Sequence, residues 1–296
     1  MRNPQKALQK YGCPLNGKTV LVTGANSGIG YAAAVHFLML GADLLLVCRS
    51  AERGQRAAEQ LQAQFPGSRI VLLLADLASN ASIKALAQNI AERGEKIDIF
   101  LSCAGVYYPS ITTTEDGLPM TVGVNYVGTV RLTEALLPAM HESTHIVLTT
   151  SLTDRFGRVC RAPKPGAREG FRAYAESKLL LSAYICKKAR LRGEKEPIFT
   201  VAHPGITATS LLDPAKTSHH PLFSKLGHAF LYLFTHSKEK AALTAVYAAC
   251  HGQNGDCIGP RGLFGISGYP RRTQFCRNVR RQAARGSDPY IADAKS

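Results

Sequence analysis

Short apolar runs and helix-spaced amphipathic stretches alternate along this chain. The runs Thr19–Thr23, Asp43–Cys48, Arg69–Leu74, Ile97–Ser102, His145–Thr150 and Ile198–Ala202 read as strands. They are continuous rather than alternating, which marks strands covered on both faces. Helical spacing falls near Gly28–Leu40, Ala51–Phe65, Asn80–Arg93, Gly117–His141 and Phe171–Arg192. Strands alternating with helices predict a single-domain doubly wound parallel sheet, an α/β Rossmann fold with right-handed crossovers and helices on both faces. Ligands of such sheets sit at the carboxyl ends of the strands, where the strand order reverses. Two later segments are less regular. His220–Thr235 carries Leu222, Phe223, Leu226, Phe230, Leu231, Leu233 and Phe234. A helix that greasy can wall a pocket, dip into a membrane surface or pack on the core. Arg271–Arg285 reads as a charged surface segment.

A chain of 296 residues can bury a full core as one domain. That domain is expected to span 1–296, with its core at about 15–250 and a basic C-terminal tail at about 270–296. No apolar run approaches the ~20 residues of a membrane span. Met1–Cys13 is polar and lacks the apolar centre of a signal peptide. The eight cysteines show neither CxxC pairs nor zinc spacing, so no metal is expected. Cys48, Cys103 and Cys186 lie in apolar patterns and read as small buried thiols, which fits a reducing, cytoplasmic compartment.

The net charge of +15 is uneven. Leu152–Arg172 holds six basic and two acidic residues, and Cys257–Ser287 holds seven arginines and no acid. Such charge attracts an anionic membrane surface, a nucleic acid or an acidic substrate, or is simply solvated. No aromatic residues interleave it in a nucleic-acid motif, so no nucleic acid is expected. Peripheral contact with an anionic membrane stays open.

Directly after the first predicted strand comes Thr23-Gly24-Ala25-Asn26-Ser27-Gly28-Ile29-Gly30. A strand turning into a helix through three glycines aims N–H groups at one point, where phosphate or pyrophosphate fits. Gly24 allows the tight turn, Gly28 the approach of the ligand, and Gly30 the close packing of the helix. Far downstream, Tyr174-Ala175-Glu176-Ser177-Lys178 puts a phenol and an ammonium on one helix face. A free phenol, with a pKa near ~10, is a poor acid–base catalyst at neutral pH. A neighbouring cation is expected to bring it down.

With these motifs the chain resembles the short-chain dehydrogenase/reductase family in its TGxxxGxG form, over roughly Leu15 to Ala249. Within it, the closest likeness is to the retinol dehydrogenase and WW-domain oxidoreductase branch. Cys48-Arg49-Ser50, Val124-Asn125-Tyr126-Val127-Gly128, the long stretch from Ser151 to Tyr174, His203–Thr209 and Ala241-Ala242-Leu243-Thr244 carry that likeness. The resemblance implies that Tyr174 is the general acid, or the base in the reverse direction. Lys178 would tune it and hold the nicotinamide ribose. Ser151 would hydrogen-bond the substrate oxygen, and Asn125 would anchor a water relay to Lys178. Asn26, Ser27 and Ile29 would join the glycines at the phosphates. Asp76 and Leu77 would contact adenine, Ala104 and Gly105 would follow the fourth strand, and Pro204, Gly205, Thr207 and Thr209 would meet the carboxamide. A homodimer or homotetramer is also implied.

Cofactor choice has a physical argument. A carboxylate ending the second strand would hold both ribose hydroxyls and repel a 2′-phosphate. Here Cys48 stands there, followed by Arg49 and, a turn on, Arg53. Arginine forks onto phosphate, so NADP(H) is expected over NAD(H). One departure stands out: Ser102-Cys103-Ala104-Gly105 replaces the family's Asn-Asn-Ala-Gly, and a serine reaches less far than an asparagine. The expected function is interconversion of an alcohol and a carbonyl, on a retinoid, steroid or fatty aldehyde. The basic stretch Arg155–Arg172 raises an acidic substrate as another possibility. The alternative class is a nucleotide-binding scaffold acting through its basic surface.

Overall fold

The computed structural model describes residues 4–108, 112–159, 167–205, 237–262, 265–285 and 290. An eight-stranded sheet runs in the order β3-β2-β1-β4-β5-β6-β7-β8. Its strands are β1 (Thr19–Thr23), β2 (Asp43–Cys48), β3 (Ile70–Leu74), β4 (Ile99–Ser102), β5 (His145–Thr149), β6 (Ile198–Ala202), β7 (Cys257–Pro260) and β8 (Pro270–Thr273). Every neighbouring pair is parallel except β7 and β8. The six expected strands are present, with β3, β4 and β5 a residue or two shorter.

Side-chain alternation sorts each strand between two cores. Val20, Val22, Leu44, Leu46, Ile99 and Leu101 face one layer, which holds α1 (Pro4–Tyr11), α2 (Gly28–Met39) and the helix Lys238–His251. Leu21, Leu45, Val47, Phe100, Ile146 and Leu148 face the other. That second layer holds α4 (Asn80–Glu92), α6 (Thr129–Leu136) and α7 (Ala167–Leu191), while α3 (Ala51–Gln64) packs beside β2 and β3. Each fully buried aliphatic side chain contributes roughly 1.5–3 kcal/mol, so every strand is pinned from both sides.

Three features depart from the sequence expectation. Pro4–Tyr11 is helical, and Ala7, Leu8 and Tyr11 bury one face of it against the core. The helix expected over Gly117–His141 is broken into α5 (Met120–Val122), a π-helical turn Gly123–Gly128, α6 and a 3₁₀ turn ending at Ala139. Its packing shows why Gly128 is needed, since a Cβ there would stand 2.0 Å from the carbonyl oxygen of Leu77. The segment read as charged surface supplies the edge strand β8 and the helix Arg277–Ala284. That helix buries Val279 completely while exposing its arginines. The apolar segment Leu222–Phe234 lies outside the described residues. Among the described residues, no helix is long and apolar enough to cross a membrane.

Candidate active site

The strand order reverses at β1, which has β2 on one side and β4 on the other. The carboxyl ends of these strands open into a cavity of about 860 Å³. Thr23, Gly24, Asn26, Ser27, Gly28, Ile29 and Gly30 line its phosphate end. Gly24 and Gly28 have φ of 69° and 58°, the left-handed region that costs L side chains most. A Cβ on Gly28 would meet nothing within 4 Å, whereas one on Gly30 would stand 2.4 Å from the Gly24 carbonyl oxygen. Gly28 therefore faces open cavity and Gly30 closes the turn on itself. Ser27 takes the N-cap position of α2 without a side-chain capping bond. Ser50, Ser79 and Ser237 do cap their helices. The first-turn N–H groups of α2 thus lack the serine cap its neighbours have, which suits an anion. This cradle fits a dinucleotide pyrophosphate.

At the far end of the cavity stand Arg49 and Arg53, both exposed. Neither guanidinium is in an ion pair among the described residues. Asp76 and Leu77 line the same end, and the Asp76 carboxylate accepts from Ala78 N at 2.9 Å.

The reacting end is built from β5, the turn after it and α7. Ser151 caps the 3₁₀ turn Leu152–Arg155, its Oγ accepting from Thr153 N at 3.3 Å. Tyr174 and Lys178 lie one turn apart on α7, and Lys178 Nζ stands 5.7 Å from the Tyr174 ring centroid. Lys178 Nζ donates to the Thr149 carbonyl at 2.9 Å. Tyr107 meets the Tyr174 ring edge-on, with centroids 6.0 Å apart. Burial pushes the Tyr174 phenol up to about 12, against a hydrogen bond from Ser151 that favours the phenolate. Burial also lowers Lys178 to about 8. The expectation of a lowered phenol pKa is corrected here: burial outweighs the Ser151 hydrogen bond, the influence that favours the phenolate. The phenol therefore keeps its proton at neutral pH.

Asn125 lies beside Lys178: a Cβ on Gly105 would stand 3.4 Å from Asn125 Oδ1 and 3.8 Å from Lys178 Nζ. Asn125 is fully buried and does not line the cavity. Its amide is committed, accepting from Val106 N at 2.7 Å and donating to Val106 O at 2.9 Å and Ser177 Oγ at 3.3 Å. The side chain therefore fixes the loop after β4 against α7. Ala104, Gly105, Pro204 and Gly205 line the cavity, while Thr207 and Thr209 lie outside the described residues. Cys48 and Cys186 are buried thiols as expected, but the partly buried Cys103 lines the cavity. Sequence reasoning passed over Leu152, Phe156, Val106, Val124 and Ile266, which give the reacting end apolar walls. It also passed over Asp154, whose only sequence signal is its place three residues after Ser151.

A Rossmann sheet with a glycine phosphate turn, and a Ser–Tyr–Lys cluster on the wall beyond it, defines a nucleotide-dependent oxidoreductase. The chain belongs to the short-chain dehydrogenase family, whose model matches residues 18–219. Its members act between CH–OH and C=O groups. Within it the chain resembles retinol dehydrogenases. It is 31% identical over 252 residues to mouse retinol dehydrogenase 14, covering 80% of this chain and 74% of that protein. It is also 31% identical over 254 residues to mouse polyprenol dehydrogenase, covering 80% and 72%. A Burkholderia cenocepacia short chain dehydrogenase solved with NADP superposes with a TM-score of 0.65 at 24% identity, covering 82% of this chain and 96% of that one.

Proposed function

We propose that the protein is an NADP(H)-dependent oxidoreductase interconverting a lipophilic alcohol and its aldehyde or ketone. The observation that carries this is the convergence of Ser151, Tyr174 and Lys178 on the cavity whose other end presents the glycine turn, Arg49 and Arg53. When bound, the nicotinamide supplies or accepts the hydride. The chain's own residues do the rest. Ser151 hydrogen-bonds the substrate oxygen and sets its position against Tyr174. Tyr174 donates its phenolic proton to that oxygen during reduction and takes it back during oxidation. Lys178 places a positive charge beside the phenol, opposing the cost of its ionised form. Arg49 and Arg53 favour a 2′-phosphate by charge-assisted hydrogen bonds.

The apolar walls formed by Leu152, Phe156, Val106 and Ile266 support a lipophilic substrate. So do the names of the relatives, which act on retinol and polyprenol. NADPH consumption against retinoid, steroid, fatty and carboxylated carbonyls tests the reading. Turnover of lipophilic members with a KM for NADPH well below that for NADH is expected. Tyr174→Phe should reduce turnover by roughly 10²–10⁴-fold. Unchanged turnover in that variant would overturn the assignment of Tyr174, and NADPH binding without turnover of any member would point instead to a scaffold that binds nucleotide.

A further inference from the structure

Behind the cavity wall, the turn that carries Ser151 ends on a buried carboxylate. Asp154 is 9% exposed and does not line the cavity. Its main-chain N–H donates to the Ser151 carbonyl at 3.1 Å. Its Oδ2 accepts from Ser182 Oγ at 3.0 Å. Ser182 Oγ lies 2.7 Å from Thr150 Oγ1, which also donates to the Lys178 carbonyl at 3.3 Å. With Ser182 donating to the carboxylate, the Thr150 proton is shared among Ser182, the Lys178 carbonyl and the Asp154 carboxylate itself. Proton directions in this chain are then set by one acceptor at its end. The chain joins the residue before Ser151, the residue three after it, and a position one helical turn beyond Lys178. Asn278, on the helix Arg277–Ala284, clamps the same turn from outside. Its Nδ2 donates to the Gly157 carbonyl at 2.8 Å and reaches the Asp154 carbonyl at 3.5 Å.

We infer that Asp154 is a positioning residue, which fixes Ser151 against the Tyr174–Lys178 face of α7 through Ser182 and Thr150. The inference rests on the proposed function, because it assigns Asp154 a part in aligning that site. A carboxylate suits this role better than an amide of the same shape. It offers only acceptors, so it fixes Ser182 and Thr150 as donors and never competes with them for an acceptor.

The groups facing Asp154 come from several elements. Arg155 stands on its own turn, Ser182 on α7, Thr150 after β5, and the buried thiol of Cys257 on β7. Burial is the largest influence and raises the Asp154 carboxyl to about 6, against the hydrogen bonds and Arg155. Below that pH the carboxyl carries its own proton and no longer imposes one direction on the chain. Activity should therefore fall on the acid side with a midpoint near 6.

The test uses an aldehyde whose reduction depends on Tyr174. Asp154→Ala is expected to lower kcat at pH 7.5 by tenfold or more, while KM for NADPH changes less than twofold. Asp154→Asn, which like the protonated carboxyl adds a donor beside its acceptor, should hold kcat near the low-pH plateau of the wild type, above that of Asp154→Ala, and lose the acid limb near pH 6. Ser182→Ala should lower kcat in the same direction, and the double variant should be no worse than Asp154→Ala alone. Should Asp154→Ala fail to fold, Ser182→Ala and Asp154→Asn decide the matter. The inference is overturned if kcat in either alanine variant stays within twofold of wild type. It is equally overturned if Asp154→Asn keeps the acid limb, or if kcat and NADPH affinity fall together. Loss of these effects with Tyr174→Phe still inactive rejects Asp154 alone. Turnover that never depends on Tyr174 rejects the proposed function, and this inference with it.

Discussion

Thr23 Oγ1, at the end of β1, accepts a hydrogen bond from the main-chain N–H of Ala104 at 3.1 Å. The same oxygen accepts from Cys103 N at 3.1 Å and lies 3.5 Å from Ser102 Oγ. A threonine on the neighbouring strand thus holds the loop after β4, where the family's asparagine is replaced by Ser102. Thr23→Val would leave two N–H groups without their partner at the floor of the cavity. An expected loss on the order of 2–4 kcal/mol should appear as a lower midpoint in urea unfolding. Ser102→Ala removes only the long hydroxyl contact and should cost less than about 1 kcal/mol. Equal losses for the two variants would show that Thr23 is not the main brace.

Gly28 and Gly30 should separate binding from folding. Gly28→Ala puts a methyl group into open cavity at a φ of 58°. NADPH affinity should fall at least tenfold, with a stability cost of only about 1–2 kcal/mol from the backbone strain. Gly30→Ala drives a Cβ to 2.4 Å from a carbonyl oxygen, so the turn itself must move. That variant should lose several degrees of thermal stability as well as binding, read by melting with and without NADPH.

Arg49→Ala and Arg53→Ala test the phosphate end. Each lost charge-assisted contact to the 2′-phosphate is worth roughly 1.5–3 kcal/mol, or about 10- to 100-fold in KM for NADPH. KM for NADH should move less than threefold. If both cofactors weaken together, the arginines stack on adenine rather than hold phosphate.

Two buried histidines set the acid limit of stability. His36 and His203 are 2% and 5% exposed, and burial lowers each to about 4. The unfolded chain binds protons near pH 6.5 while the folded one does not, so stability falls as pH drops from about 6.5 to about 4. Each contributes roughly 3 kcal/mol over that window. Asp154, raised to about 6, acts in the opposite sense between about 4 and 6, because the folded state holds the extra proton there. Urea midpoints at pH 7, 5.5 and 4.5 should decline, and His203→Gln should flatten the decline.

The sheet was legible because β1, β2 and β6 are mostly apolar runs whose centres are buried on both faces, a pattern few other elements give. The glycine turn and the Tyr174–Lys178 pair were legible because both are local, fitting within one turn of chain. What escaped was made by distance. Thr23 reaches Ala104 across 81 positions, and Asp154 meets Ser182 across 28. No spacing rule announces such pairs. The helix Arg277–Ala284 escaped for a different reason. Its single buried residue, Val279, sits among arginines whose charge dominates the local composition. Asn125 was found by its motif, but the Val106 main chain that its amide holds was not, because only packing shows that pairing.

The Asn278 clamp has a consequence for how the protein assembles. Asp154 and Asn278 are 124 residues apart, so the turn that carries Ser151 is completed only by a helix from the end of the chain. The strands that form the nucleotide cleft pair within the first half of the chain and can close early. A chain still emerging from synthesis can therefore pair these strands well before the helix that carries the glycine turn finds its packing partner Lys238–His251 or the Ser151 turn is clamped. Refolding protein should regain sheet structure first, and cofactor binding and turnover only once the last third of the chain has docked.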